Sequence, residues 1–434
     1  MVETLGPLEL PPQTWHHPRR HAAVRTDEYV YSQLIPYIGN KRKLLPLIAR
    51  GILSTGLSAG SFVDLFSGSS VVARFAKTLG FRIIANDWEP YAYEIAQGTV
   101  VLNAPPPLAK LGGAEAVFAH LNHLAPLHGY VAEHLCPYDD EHPDLARERL
   151  FFTRQNGERI DAVREQIATW DVQGQLDGDE RAFLLSALVY AVSYVSNTSG
   201  VFKGFHAGWG GQTGTALYRI RSLLTLRPPV TFDNQQPNLA FRRDAQVFGR
   251  ELREVIGDVP EIVYLDPPYN QHPYGSNYHV LNTVVLWDKP PLNPWIQHDG
   301  PNRDKSAIRT DWRSERRSLY NGPRTALAAF RLLVGNLDAR WILASYSTDG
   351  TMPLEGVLSA LAERGDLRVF TQKYKRYRVS TPRMSTKPHT TEFLAVVDTS
   401  APPSLDRVDC MVEDIVSLAG DESGGQFSPK TESL

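Results

Sequence analysis

EIVYLDPPYN, residues 261–270, reads as a strand that stops on a carboxylate. Ile262 to Leu265 form an apolar run of the length expected for a strand covered on both faces. Pro267 and Pro268 have no N–H to offer a ladder, so the pairing must end at Asp266 in a stiff corner. Working outward, SFVDLFSGSS (61–70) repeats the plan, with a short apolar run, then Asp64 and Phe66, then a turn at Gly68. SVVARFAKTLG (70–80) follows with helical spacing and a terminal glycine, and FRIIAND (81–87) is a second buried strand ending at Asp87. WILASYS (341–347) and TEFLAVVD (391–398) add further β-rich runs. Strands separated by helices predict an α/β architecture, a Rossmann-like doubly wound and mostly parallel sheet.

Between 105 and 237 this alternation lapses. Helical spacing over 161–170 and 180–195 is followed by SNTSGVFKGFHAGWGGQTGTALYR (196–219), where glycines interleave with Phe202, Phe205 and Trp209. The expected organisation is therefore an arm (1–30), a first part of the α/β domain (31–104), an inserted, mainly helical substrate domain (105–237), a second part of the α/β domain (238–400) and an acidic tail (401–434). Disorder is expected from about Asp421, where Gly, Ser and charge leave little to bury.

Composition narrows the function classes. The 434 residues are 42% hydrophobic and 21% charged, with a formal net charge of −3, so any nucleic-acid surface must be local. No apolar run is long enough to span a bilayer, and the first thirty residues lack an apolar signal core, which leads to the expectation of a cytoplasmic, nucleoid-associated protein without a membrane partner. Cys136 and Cys410 stand too far apart to suggest a disulfide framework or a zinc site, and the histidines lack ligand partners at metal spacing, so no metal is expected. No phosphate-binding P-loop and no nucleophile elbow occur.

The motifs point to a nucleoside ligand. DLFSGSS has one glycine where a dinucleotide fingerprint needs three, which argues against a pyrophosphate cradle. Gly68 still permits close backbone approach, and Asp87, nineteen positions on, stands where a carboxylate accepts from ribose hydroxyls. S-adenosylmethionine is such a ligand. The Asp-Pro-Pro-Tyr corner suits chemistry on an exocyclic amino group, whose lone pair is delocalised into its ring. A carboxylate (Asp266) accepting one amino hydrogen and a carbonyl (Pro267) accepting the other favour a nitrogen that can attack. Tyr269 offers a face on which an extruded base can stack.

These motifs together resemble the amino-group DNA methyltransferases, particularly the adenine-specific class with the alpha motif order. IPYIGNKRKLL (35–45) is similar to that family's amino-terminal cofactor motif, FVDLFSGSS (62–70) to its glycine motif, and IIANDWEP (83–90) to its acidic motif. YLDPPYNQHPYGSNYHVLNT (264–283) resembles the catalytic motif with its flank, and ILASYS (342–347) the motif on the following strand. The resemblance covers roughly 31–102 and 239–397. It implies that Lys41 neutralises the cofactor carboxylate and that Tyr37 lies near the adenine. Phe66 and Gly68 then line the methionine moiety, with Asp64 beside them, and Asp87 holds the ribose. Asp244 borders the cofactor adenine, and Asp266, Pro267, Pro268 and Tyr269 carry the methyl transfer, Asp266 also near the cofactor amino group. Ser70 departs from the family, which often has a second glycine there, and is expected to narrow the pocket slightly.

The implied activity is transfer of a methyl group from S-adenosylmethionine to a flipped base in double-stranded DNA. Adenine N6 is favoured over cytosine N4, since cytosine-N4 enzymes more often carry Ser in place of this Asp. An RNA or protein-glutamine methyltransferase, or an inactive DNA-binding relative, are the alternatives, and a restriction endonuclease is the expected kind of partner. For DNA contact, residues 367–391 carry Lys373, Lys375, Arg376, Arg378, Arg383 and Lys387, interleaved with Tyr374 and Tyr377, and no acid between Arg368 and Lys387. Lys203, with His206, is expected to approach DNA from the glycine–aromatic stretch, and 303–317 to form a loop that closes over DNA or cofactor.

Overall fold

The computed structural model describes residues 2–4, 26–211, 214–268, 273–296, 305–309, 311, 315–316, 318–375 and 389–420. Its strands are β1 (Val2–Thr4), β2 (Ser61–Asp64), β3 (Arg82–Asn86), β4 (Leu239–Phe241), β5 (Ile262–Leu265), β6 (Trp341–Ser347), β7 (Asp366–Lys375) and β8 (His389–Asp398). They make one sheet in the order β1-β7-β8-β6-β5-β2-β3-β4. β8 runs antiparallel to both β6 and β7, and every other pairing is parallel. The doubly wound α/β expectation holds, with one reversed strand. All residues of β2, β5 and β6 are buried, as strands covered on both faces require.

The helices are α1 (Thr26–Tyr31), α2 (Leu45–Ser54), α3 (Val71–Thr78), α4 (Pro90–Ala96), α5 (Ala114–Asn122), α6 (Tyr130–Leu135), α7 (Arg154–Val172), α8 (Gly178–Val195), α9 (Leu217–Ile220), α10 (Ala245–Ile256), α11 (Tyr274–Asn277), α12 (His279–Leu286), α13 (Ala326–Asn336), α14 (Leu354–Ala362) and α15 (Val408–Gly420). One sheet face packs Phe62, Tyr264 and Leu343 against Ile48 and Ile52 of α2 and Val71 and Val72 of α3. The opposite face packs Val63, Leu265 and Ile342 against α10, α13, α14 and α15. A third core joins Phe183 and Leu188 of α8 to Tyr91 and Ile95 of α4 and Leu281 and Val284 of α12. The segment 105–237 holds helices and no strand among its described residues, yet its core is continuous with α4 and α12 on either side of it in sequence.

Both ends carry structure that the pattern reading did not foresee. Val2–Thr4 pairs with β7, and α1 begins inside the expected arm. The first half of the acidic tail forms α15, which buries Val408, Met411 and Ile415. The segment expected to be disordered, 421–434, lies outside the described residues. Among those that are described, no helix is long and apolar enough to cross a membrane.

The chain runs from β2 outward to β3 and β4, then returns to the other side of β2 as β5 and continues to β6. The strand order therefore reverses between β2 and β5, and a crevice opens outside their carboxyl ends.

Candidate active site

The crevice is an open cleft lined by the loops after β2, β3, β4 and β5 and by the approach to α11. Of the expected site residues, Tyr37, Phe66, Asp87, Asp244, Asp266 and Pro268 line it. Each reaches it for a local reason. The parallel pairing of Asp64 with Tyr264 brings the ends of β2 and β5 side by side, so Phe66 and Asp266 open onto one space.

Gly68 turns at φ +49°, and a Cβ there would lie 2.8 Å from the ring and hydroxyl of Tyr37. Only glycine lets the tyrosine sit this close. The Gly68 N–H donates to Asp87 Oδ2 at 2.8 Å and the Glu89 N–H to Asp87 Oδ1 at 2.9 Å, so Asp87 ties the two loops together. Burial pushes Asp87 up to about 6, against these N–H donors. Ser70 does not line the cleft. It sits fully buried at φ +60°, so its departure from glycine is felt as backbone conformation and not as a narrower pocket.

Asp244 caps α10, accepting from the N–H groups of Gln246 at 2.8 Å and Val247 at 3.3 Å, and still borders the cleft. Lys41 stands directly behind the cleft wall. It is 2% exposed, faces Asp266 Oδ1 at 2.9 Å and is not part of the cleft wall. Burial raises Asp266 while Lys41 opposes the rise, so the lysine favours the ionised carboxylate. Asp64 lies buried behind, pushed well above the carboxylate range by burial, with Asp266 and Asp87 nearby. Pro267 follows Asp266 at the corner. Tyr269 lies outside the described residues, as do Arg376, Arg378, Arg383 and Lys387. Lys375 closes β7, Lys373 is exposed on the same strand, and Lys203 is exposed in the stretch before α9.

The sequence reading missed several wall residues. Asn86 donates to the carbonyls of Leu65 and Arg243 and accepts from the Arg243 N–H, each at 3.1 Å, which fixes the ends of three strands. Tyr320 meets Phe66 edge-on at 5.4 Å and accepts a hydrogen bond from Gln246 at 2.8 Å. Arg316, from the segment expected to close over the site, also borders the cleft. Tyr37 stacks on Tyr278 at 5.1 Å, and the Tyr278 hydroxyl accepts from the Ile38 N–H while Tyr274 donates to the Ile38 carbonyl. The aromatic i, i+4 spacing of Tyr274 and Tyr278 after the Pro-Pro corner was the available signal. Glu89 borders the cleft as well; burial pushes it to about 7, and its Oε2 accepts from Asn282 of α12 at 2.6 Å.

A carboxylate at a rigid strand end, beside a cleft with a second carboxylate and a close glycine turn, matches a known sequence profile. Residues 37–294, more than half of the chain, match that of the D12 class N6 adenine-specific DNA methyltransferases. The chain belongs to this family. It is 30% identical over 331 residues to the modification methylase StsI of Streptococcus sanguinis, covering 75% of this chain and 46% of that protein. It is 29% identical over 371 residues to the type II methyltransferase M.NlaIII of Neisseria lactamica, covering 83% and 98%. M.FokI of Planomicrobium okeanokoites is 29% identical over 349 residues, covering 79% and 49%. The chain thus spans about half the length of StsI and M.FokI and nearly all of M.NlaIII. The resemblance read from the motifs is therefore correct at the level of the family.

Proposed function

We propose that this chain binds S-adenosylmethionine in the cleft, takes up a base flipped from double-stranded DNA, and transfers a methyl group to its exocyclic amino nitrogen, adenine N6. The observation that carries the proposal is the Asp266–Pro267–Pro268 corner at the end of β5, opening onto the same cleft as Phe66 and Asp87. The cleft suits a phosphate-free nucleoside. It offers the Asp87 and Glu89 carboxylates and has apolar walls in Leu65, Phe66 and Tyr320. When bound, the donor supplies an intrinsically activated methyl sulfonium, so the protein's own work is positioning.

In this reading Asp266, kept toward its ionised form by Lys41, accepts one amino hydrogen and the Pro267 carbonyl accepts the other. The rigid corner holds the nitrogen in line with the donor, and the Tyr37–Tyr274–Tyr278 stack fixes α11 and the start of α12 beside the cleft. Lys41 acts through Asp266, which leaves the cofactor carboxylate to other groups. Residues 105–237 serve as the recognition domain, and the exposed Lys373 of β7 positions a phosphate. The family description favours adenine over cytosine N4. The names of the relatives as modification methylases and type II methyltransferases support a role beside a restriction endonuclease.

Asp266→Ala tests the reading directly. Radiolabelled methyl transfer to duplex DNA is expected to vanish, with DNA affinity within a few-fold of wild type, and base-level mapping of DNA modified by the wild-type protein should show N6-methyladenine. Wild-type-like turnover in the variant would remove Asp266 from the chemistry.

A further inference from the structure

Two carboxylates, Asp87 and Glu89, border one part of the cleft, and they are not in equivalent positions. Both oxygens of Asp87 already accept backbone N–H groups, from Gly68 and Glu89, which hold the loops after β2 and β3 to one another. Glu89 differs. It is 8% exposed, its Oε2 accepts from Asn282 at 2.6 Å, and among the described residues no hydrogen bond falls on its Oε1. It lines the cleft, as does Arg316, whose guanidinium is close enough to influence the carboxylate. Asn282 is itself fully buried and fixed, since its Oδ1 accepts from the Tyr91 N–H at 3.2 Å. The Glu89 carboxylate is therefore oriented by α12 and α4 together, with one acceptor oxygen left for a ligand. A buried acceptor of this kind is expected to meet a donor.

We propose that Glu89 is a cofactor ligand, accepting a hydrogen bond from a ribose hydroxyl of the methyl donor, while Asp87 chiefly braces the two loops that shape the ribose site. This rests on the cleft being the site of the methyl donor. It moves part of the ribose recognition two residues beyond the acid that the motif alone designates. It also ties donor binding to α12, the helix that follows the Asp-Pro-Pro-Tyr loop.

Calorimetric titration with S-adenosylhomocysteine and its 2′-deoxy and 3′-deoxy ribose analogues tests the assignment on the full chain. Glu89→Ala should weaken S-adenosylhomocysteine by roughly 10- to 100-fold, the range of a hydrogen bond to a charged group. One deoxy analogue should bind wild type and Glu89→Ala with nearly the same affinity, since the partner hydroxyl is already gone. Glu89→Gln keeps an acceptor for Asn282 and should retain the wild-type melting temperature while losing a smaller part of the affinity. Asp87→Asn should weaken all three ligands by a similar factor. The inference is overturned if Glu89→Ala binds S-adenosylhomocysteine as wild type does, or loses the same factor against every ligand. Failure of the wild-type protein to bind S-adenosylhomocysteine at all would instead sink the reading of the cleft on which the inference stands.

Discussion

Gly68 and Ser70 both hold positive φ, +49° and +60°, two residues apart in the turn after β2, yet they answer to different constraints. At Gly68 the left-handed backbone coincides with the Tyr37 ring, so Gly68→Ala adds a conformational penalty of about 1–2 kcal/mol and displaces the tyrosine stack. The expected result is a lowered melting temperature together with weaker S-adenosylhomocysteine binding. Ser70→Gly should do the opposite, relieving the same kind of strain and leaving the melting temperature equal or slightly higher, by about 0.5–1 kcal/mol in thermal unfolding. The carboxylates of the same cleft add a pH signature. Asp87 is pushed to about 6 and Glu89 to about 7; in the proposed reading the ionised Glu89 accepts from a ribose hydroxyl, while the ionised Asp87 accepts the N–H groups that shape the site. Around Glu89 stand Asp87, Asn282 and Tyr91, with Arg316 the cation that opposes its rise and Arg243 lining the same cleft. Protonation converts an acceptor into a donor, so affinity for the donor analogue should rise as pH climbs through these values and then level off. In Glu89→Gln the upper step should disappear from the calorimetric pH profile.

At the scale of elements, β2, β3, β5 and β6 were legible because each is a short apolar run closed by a residue that cannot continue the strand. The Gly68 turn, the Asp87 terminus and the Pro-Pro corner are local chemistry, which a sequence displays directly. What lay hidden depends on partners distant in the chain. Asn86 and Glu89 become site residues only when β4 and α12 arrive 157 and 193 positions later. Lys77 of α3 is the clearest case, since helical spacing alone gives a lysine no reason to be buried. It is 0% exposed, and its ammonium donates to the carbonyls of Val100 at 2.7 Å and Leu102 at 2.8 Å, where the chain leaves a π-turn (Gln97–Val101) after α4. Burial lowers it to about 7. Lys77→Met would leave both carbonyls without their donor and should destabilise the protein by about 2–4 kcal/mol, read as a shifted urea midpoint at an unchanged slope.

For the whole molecule, a formal charge of −3 means that the proposed DNA substrate must be met by a local basic surface and not by the overall field. Seven acids in 401–434 against Arg407 and Lys430 leave the rest of the chain slightly positive, and the sheet arranges part of that excess along one border. α2 packs on β7 and β8, and Gln372 of β7 donates to the Lys43 carbonyl at the start of α2. Exposed Arg42 and Lys43, from the GNKRK motif, thereby lie by the end of β7 that also carries exposed Lys373 on the strand's other face, the first lysine of the acid-free run. Binding of phosphates through such a border is independent of sequence, whereas base reading is the task proposed for 105–237. Neutralising Lys43 and Lys373 together as Gln should therefore weaken specific and non-specific duplexes by the same factor and lower the salt slope of binding by about two, one for each phosphate no longer neutralised. Fluorescence anisotropy across a salt series measures both quantities on one set of samples. Weakening confined to one duplex sequence would make this border a base reader and shift the recognition role away from the helical insertion.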